Sequence, residues 1–227
     1  MKEIAKAISG ASDNINANTT GSIYVNNGNM WAYKITPGNT ITVNNHLYAV
    51  MGFNNFALTN RGNYGGTHTT AGLTFGAVNC VGEYQMNSSD TNSGGWGKCQ
   101  MRTSTMPTLQ SGMPGTLAQV KVPHTNSTNS GQSTILYSDD YLFLPAEKEV
   151  FGRGMGSPST EADALAQFAY YKNGGSKIKS VSGSAVTWWR RSVRDYSSSN
   201  FCAVYHTGDA FNNNPSNANG VAPCFCV

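Results

Sequence analysis

The last thirty-eight residues, Arg190 to Val227, contain no Lys, Glu, Gln, Met or Trp, whereas the 189 residues before them hold 32. At that rate about six would be expected in the tail. These five are the residue types that no pyrimidine-ending codon encodes, so the whole tail fits the alphabet reached by mutating the two adenines of an Asn codon. One reading is a polar, turn-rich loop that avoids long side chains through crowding. The other is a surface built to be diversified.

Further absences narrow the function classes. Charged residues make up only 12% of the chain, the formal net charge is +3, and Lys and Arg are dispersed; the massed basic face of a nucleic-acid binder is missing. No apolar run approaches the length of a membrane span, and Met1-Lys2-Glu3-Ile4-Ala5-Lys6 carries a Glu with no apolar stretch after it. Neither a transmembrane helix nor a secretory signal is expected. Cys80, Cys99, Cys202, Cys224 and Cys226 are odd in number and match no zinc spacing. Buried thiols are expected, with a Cys80–Cys99 bridge the alternative in an oxidising setting. No cofactor or metal set is legible.

What is present favours one domain. A chain of 227 residues can bury a full core, and scattered Gly and Asn with few long helical patterns predict a loop-rich α+β fold. We read residues 1–21 as an N-terminal lead-in suited to contact with a neighbouring subunit, with Ile4 and Ile8 enough for one short helix, and 22–227 as the domain. Ile23-Tyr24-Val25 and Met30 to Ile35 flank Asn26-Asn27-Gly28-Asn29, a hairpin signal. Thr40 to Val43 and His46 to Val50 form a second pair through Asn44-Asn45. Asn54 to Thr70 and His124 to Ser133 read as loops, His68 as solvated rather than ligating, and Leu73 to Val78 as a core segment.

Trp96 reads as a core plug. The spacing of Leu109, Met113, Leu117 and Val120 predicts a helix weakened by Gly112 and Pro114. Tyr141 to Leu144 is a short buried strand, followed by a helix that Pro145 opens and whose first turn holds Glu147 and Glu149. Two residues apart, these acids point about 200° around a helix. For one of them a structural ion pair with Arg102, Arg190 or Arg191 is expected, rather than general acid–base work. Glu161 to Tyr171 predicts another helix, closed by Lys172 to Ser176.

A resemblance joins several of these segments. Gly95-Trp96 with Met101-Arg102, Leu142-Phe143-Leu144 with Glu147, Glu149 and Val150-Phe151-Gly152, Trp188-Trp189-Arg190-Arg191-Ser192, and Gly220-Val221-Ala222-Pro223-Cys224-Phe225 together resemble the C-type-lectin-like domains of prophages and gut Firmicutes. The likeness runs from about Leu73 to the end. It implies a C-type-lectin-like fold akin to the formylglycine-generating enzymes: a small twisted antiparallel sheet, two packed helices and long loops. It also implies the variable protein of a diversity-generating retroelement, in which a template copied with errors at adenines replaces the 3′ end of the gene. The composition of the tail points the same way without the family. Relatives carry Ser-Pro where this chain has Ser192-Val193, which suggests that the site drifted or was mutated.

On this reading the variable, ligand-binding positions are Val193, Arg194, Asp195, Tyr196, Ser198, Ala203, Tyr205, His206, Thr207, Asp209, Phe211, Asn213 and Pro215. Phe201, Cys202, Val204, Gly208, Val221, Pro223 and Phe225 stand between them as scaffold, and the alternation of Phe201, Ala203 and Tyr205 against Cys202 and Val204 suggests a strand with two differently used faces. Tyr and Phe give contact area at low rotamer cost, and Ser, Asn, His and Asp give short hydrogen-bonding groups.

The function expected is a non-enzymatic binding protein, most simply for phage tail receptor recognition or bacterial surface display. Its partner would be a protein or glycan receptor on a bacterial surface, and the family precedent is a homo-oligomer, a trimer. The location implied is a virion tail or a cell surface. Alternatives are a formylglycine-generating-type oxidase using Cys224 and Cys226, calcium-dependent sugar binding through Asp209 with Asn212 to Asn214, and a structural virion protein.

Overall fold

The computed structural model describes residues 1–11, 14–26, 32–61, 66–126 and 134–227. Helix α1 (Lys2–Gly10) has no side-chain cap, so its stability comes from packing, with Ala5 and Ile8 fully buried. Strands β1 (Ile23–Asn26) and β2 (Ala32–Ile35) pair antiparallel, Ile23 opposite Ile35; their expected Asn-Gly turn lies, from Asn27 on, outside the described residues. β3 (Thr40–Val43) and β4 (His46–Leu58) are joined by Asn44 and Asn45, both at positive φ, as a two-residue hairpin requires.

β4 does not stop at Val50. It continues through the expected loop to Leu58, with register irregularities between Val50 and Gly52 and between Phe53 and Phe56. Asn54 takes φ +49 there, and its Nδ2 donates to the carbonyls of Ile8 at 2.9 Å and Ile15 at 2.6 Å. A residue that looks like loop punctuation is thus a bulge that ties the α1 segment to the sheet.

β5 (Thr70–Ala77) is buried along nearly its whole length and packs against α1. Where the chain crosses it, a Cβ on Gly72 would lie 1.9 Å from the Ala5 carbonyl oxygen, so only glycine admits the helix this closely. After β6 (Gly82–Tyr84) come α2 (Gly95–Lys98), a π-helical turn at Met101–Thr105 and α3 (Met106–Gln110). Trp96 is fully buried and donates to Asp140 at 2.8 Å, the plug expected. The helical spacing through Val120 does not hold: the helix ends before Gly112 and Pro114, and Val120 opens β7 (Val120–Thr125). His124 and Thr125, expected in a loop, are buried at the end of β7; residues 127–133 lie outside the described residues.

β8 (Ile135–Asp140) and β9 (Leu142–Phe143) lead to α4 (Glu147–Phe151), which Gly152 ends at φ +77. The helix expected over Glu161 to Tyr171 is split into α5 (Ser159–Asp163) and α6 (Ala169–Lys172). Then follow β10 (Lys179–Val181), β11 (Ser184–Val186), β12 (Trp188–Val193), β13 (Phe201–Val204), β14 (Ala210–Asn213), β15 (Asn219–Val221) and β16 (Cys224–Cys226).

The protein is a mixed α+β structure of mostly antiparallel sheets and short helices. The larger sheet runs β8-β7-β4-β5-β16-β9, with β3 also on β4, and the second runs β14-β13-β12-β15-β6. In the second sheet β12 and β15 are parallel and the other pairs antiparallel. β16 lies between β5 and β9, where Phe225 stacks on Phe75 at 5.4 Å and meets the edge of Tyr48 at 5.1 Å. The tail therefore supplies most of the second sheet and then inserts its last strand into the larger one. Among the described residues no helix is long and apolar enough to cross a membrane.

Candidate functional site

The site is built on β12. Trp188 and Trp189 are fully buried, and their ring N–H groups donate to the carbonyls of Lys177 at 2.8 Å and Tyr84 at 2.9 Å. The next two residues, Arg190 and Arg191, are buried as completely. Arg191 makes a two-pronged pair with Glu149, at 2.6 and 2.8 Å, and Arg190 pairs with Glu147 at 2.8 Å. The expected structural ion pair is borne out twice over, while Arg102 pairs with Asp140 instead.

The Arg190–Glu147 pair reaches both ends of the candidate surface. Arg190 Nη2 also donates to the carbonyls of Ala203, on β13, and Phe211, on β14, the latter at 3.1 Å. Glu147 Oε2 accepts the backbone N–H groups of Met155, Gly156 and Ser157, each at 2.7 Å. That loop supports the next: Asp195 N–H donates to the Gly156 carbonyl at 2.7 Å. Burial would raise the Glu147 carboxyl, but the Arg190 charge and the three N–H donors hold it down at about 2. Ser192 Oγ accepts the Glu147 N–H at 2.8 Å and donates to Glu161, a buried carboxyl that burial pushes up.

On this base the predicted positions separate into groups. Tyr205, His206, Thr207, Asp209 and Phe211 are exposed and lie together on the β13–β14 hairpin, with ring centroids of Tyr205 and His206 4.0 Å apart and of Tyr205 and Phe211 5.0 Å apart. Gly208 closes the turn at φ +95, Gly208 N–H donates to the Tyr205 carbonyl, and Tyr205 N–H donates to that of Asp209, both at 2.8 Å. Arg194, Tyr196 and Ser198 are exposed and Asp195 half-buried in the β12–β13 loop, beyond the opposite end of β13. A four-residue strand spans roughly 13 Å, so these are two clusters at opposite ends of β13 rather than one patch. Arg194, Asp195 and Tyr196 border a shallow cleft of ≈ 250 Å³ with Gly154 to Ser157.

Val193, Ala203 and Pro215 are buried and offer no side chain to a ligand. Ala203 shows why: β13 is buried on both faces, so the two-faced alternation expected for it does not exist. Asn213 is half-buried and used locally, its Oδ1 accepting from Asn214 N–H at 2.9 Å and Asn217 Nδ2 at 2.7 Å. The scaffold residues Phe201, Cys202, Val204, Val221, Pro223 and Phe225 are all buried.

Ile178 adds to the hairpin surface from outside the tail. It is 49% exposed and borders the turn, since a Cβ on Gly208 would meet its Cγ1 at 3.3 Å. It precedes the compositional boundary at Arg190 and carries no signal of its own.

The groups needed by the other readings are placed differently. All five cysteines are free and buried. Burial pushes Cys224 up and Cys226 to about 12, so neither is a thiolate near neutral pH. Asp209 accepts from Thr207 Oγ1 at 2.8 Å, while Asn213 and Asn214 lie at the far end of β14. Among the described residues no group of three or more His, Cys, Asp or Glu is placed to hold a metal ion.

No curated protein and no solved structure matches the chain. A family model described as a domain of unknown function (DUF6273) matches residues 71–227, the stretch that holds all but the first residue of β5, both buried ion pairs and the whole tail. That match covers well over half of the sequence, and the chain belongs to this family.

Proposed function

We propose that the protein is a non-enzymatic binding protein with a C-type-lectin-like fold, whose C-terminal surface is diversified by a retroelement and recognises a receptor on a bacterial surface. Its setting would be a phage tail or a displayed surface protein, and repetition on an oligomer would add avidity. The observation that carries the reading is the placement of Tyr205, His206, Thr207, Asp209 and Phe211: exposed together on one hairpin, while the backbone beneath them is fixed by the buried Arg190–Glu147 pair. Support therefore comes from main-chain carbonyls and not from the exposed side chains, which leaves those free to change. The half-exposed rings supply contact area with two side-chain torsions each.

Two measurements test it. The DNA beside the gene is expected to hold a near-copy of the 3′ end that differs mainly where the copy has adenine, next to a reverse transcriptase gene; flanking DNA without them removes the diversification. Purified protein applied to a panel of bacterial cells is expected to bind a subset and to lose that binding in Tyr205→Ala and Phe211→Ala. Equal binding by both variants moves recognition off the hairpin. The oxidase alternative needs a reactive Cys224 or Cys226, and both thiols are buried.

A further inference from the structure

We propose that the cleft between α2 and the β7–β8 pair binds a small organic anion, a phosphate ester or a hydroxy carboxylate, with His124 as its polar anchor and Lys98 as its charge. At ≈ 780 Å³ the cleft has about three times the volume of the one beside Arg194 and falls within the range of small-molecule sites. Its lining comes from residues 93–139, so none of it belongs to the tail. A ligand held here is therefore distinct from whatever the β13–β14 hairpin recognises, and the site stays constant while the hairpin varies.

The His124 ring lines the cleft and is 2% exposed, yet its Nδ1 has no hydrogen-bond partner. Buried polar atoms in folded chains are nearly always paired, so an orphan at the wall of a cleft calls for a ligand atom. Gly97 shapes the contact. A Cβ there would lie 2.8 Å from His124 Cε1 and 3.1 Å from Nε2, and only glycine lets α2 approach the ring this closely. Burial, with the Arg191 and Arg102 charges, holds the imidazole down at about 4 against the Thr125 backbone and Asp140. The ring is neutral near pH 7, and Nδ1 donates or accepts according to the tautomer.

The acids of β8 are already engaged. The Asp139 carboxylate accepts from Thr59 Oγ1 at 3.1 Å and lies 3.9 Å from Lys121 Nζ, while Asp140 holds Arg102, Trp96 and Ser138. Lys98 is exposed, its stem packs on Gly94, and among the described residues it makes no ion pair. Its charge is the one the cleft leaves unbalanced. An oxyanion at Lys98, a hydroxyl at His124 and carbon on Leu136, which is 41% exposed and pairs with His124 across the strands, use what the cleft offers.

NMR of the full chain, with the His124 ring signal assigned through His124→Gln, tests this. Glycerol 3-phosphate and glycerate, at millimolar concentration and neutral pH, are the anionic probes, and glycerol is the uncharged one. At least one anion is expected to shift the His124 signal saturably and to raise the ring's titration midpoint above about 4, because a neighbouring anion favours the charged imidazole. Glycerol is expected to leave both unchanged. Saturation by one anion alone names the group as phosphate or carboxylate. Lys98→Ala, at an exposed position, is expected to keep the melting temperature and to weaken binding about fivefold or more. Tyr205→Ala and Phe211→Ala are expected to bind the anion as the unaltered chain does. No saturable shift with either anion, an equal shift with glycerol or chloride, or undiminished binding by Lys98→Ala overturns the proposal. Cell binding that persists in any of those cases removes the anion site and leaves the recognition reading standing.

Discussion

Burial alone would raise the carboxyl of Glu147, yet Arg190 and three backbone N–H donors hold it at about 2, below its unfolded value of 4.5. A depressed carboxylate contributes stability that is present above 4.5 and lost as pH falls through about 2. Glu147→Gln leaves Arg190 buried without its counter-charge and is expected to cost about 3–5 kcal/mol in urea unfolding at neutral pH. That cost should shrink as pH falls below 4.5. Glu161 has the opposite sign. Burial raises it, against the Arg191 charge and the Ser192 hydrogen bond, so its contribution to stability is present below 4.5 and is lost as pH rises from there through its raised folded-state value. Glu161→Gln keeps an acceptor for Ser192 and is expected to leave the midpoint at neutral pH unchanged or higher, with no gain below pH 4.5. A large loss at neutral pH would mean that Glu161 is ionised and needed as such.

Among the elements, α1 and β13 depart most from what their residues suggest. Composition sets residues 1–21 apart as a lead-in, but α1 touches β5 backbone to backbone at Gly72. Gly72→Ala is expected to lift the helix off the sheet, at a cost of about 2 kcal/mol or more, and limited proteolysis should then cut within residues 1–11. Cleavage unchanged from wild type would show that the contact is dispensable. In the tail, the exposed positions and the buried ones should behave differently although composition treats them alike. Tyr196→Ala, His206→Ala and Thr207→Ala are expected to move unfolding free energy by about 0.5 kcal/mol or less. Ala203→Tyr, in a strand buried on both faces, is expected to cost about 1–3 kcal/mol or more through overpacking.

For the whole molecule, burial of every cysteine makes a direct forecast. Ellman's reagent is expected to find no reactive thiol in the native protein and all five after unfolding in guanidinium, with the melting temperature unchanged by reductant. A fast-reacting thiol in the native state would reopen the oxidase reading. The return of β16 into the larger sheet, between β5 and β9, also ties the two sheets into one unit. Phe225, packed on Phe75 and Tyr48, anchors the segment that bears the recognition surface.

Much of this is legible in the sequence. The Asn44-Asn45 hairpin, the buried strand before Glu147 and Glu149, the plug at Trp96 and the compositional break at Arg190 are local signals, set by backbone preference, hydrophobic runs and residue alphabet. The length of β4, the break in the helix before Val120 and the burial of His124 were not, because each depends on a neighbour far along the chain. Asn54 is a bulge only because Ile8 and Ile15 supply carbonyls for its amide. The amino-acid sequence by itself determined the α+β character, that an acid after the buried strand pairs with an arginine, and the limits of the unusual tail, since composition and spacing carry those, whereas which arginine meets which acid was decided by packing. Only the tertiary structure decided which tail residues face solvent, that they form two clusters at opposite ends of β13, and that one buried ion pair holds both. Exposure and hydrogen bonding between distant segments are properties of packing, and no local pattern encodes them.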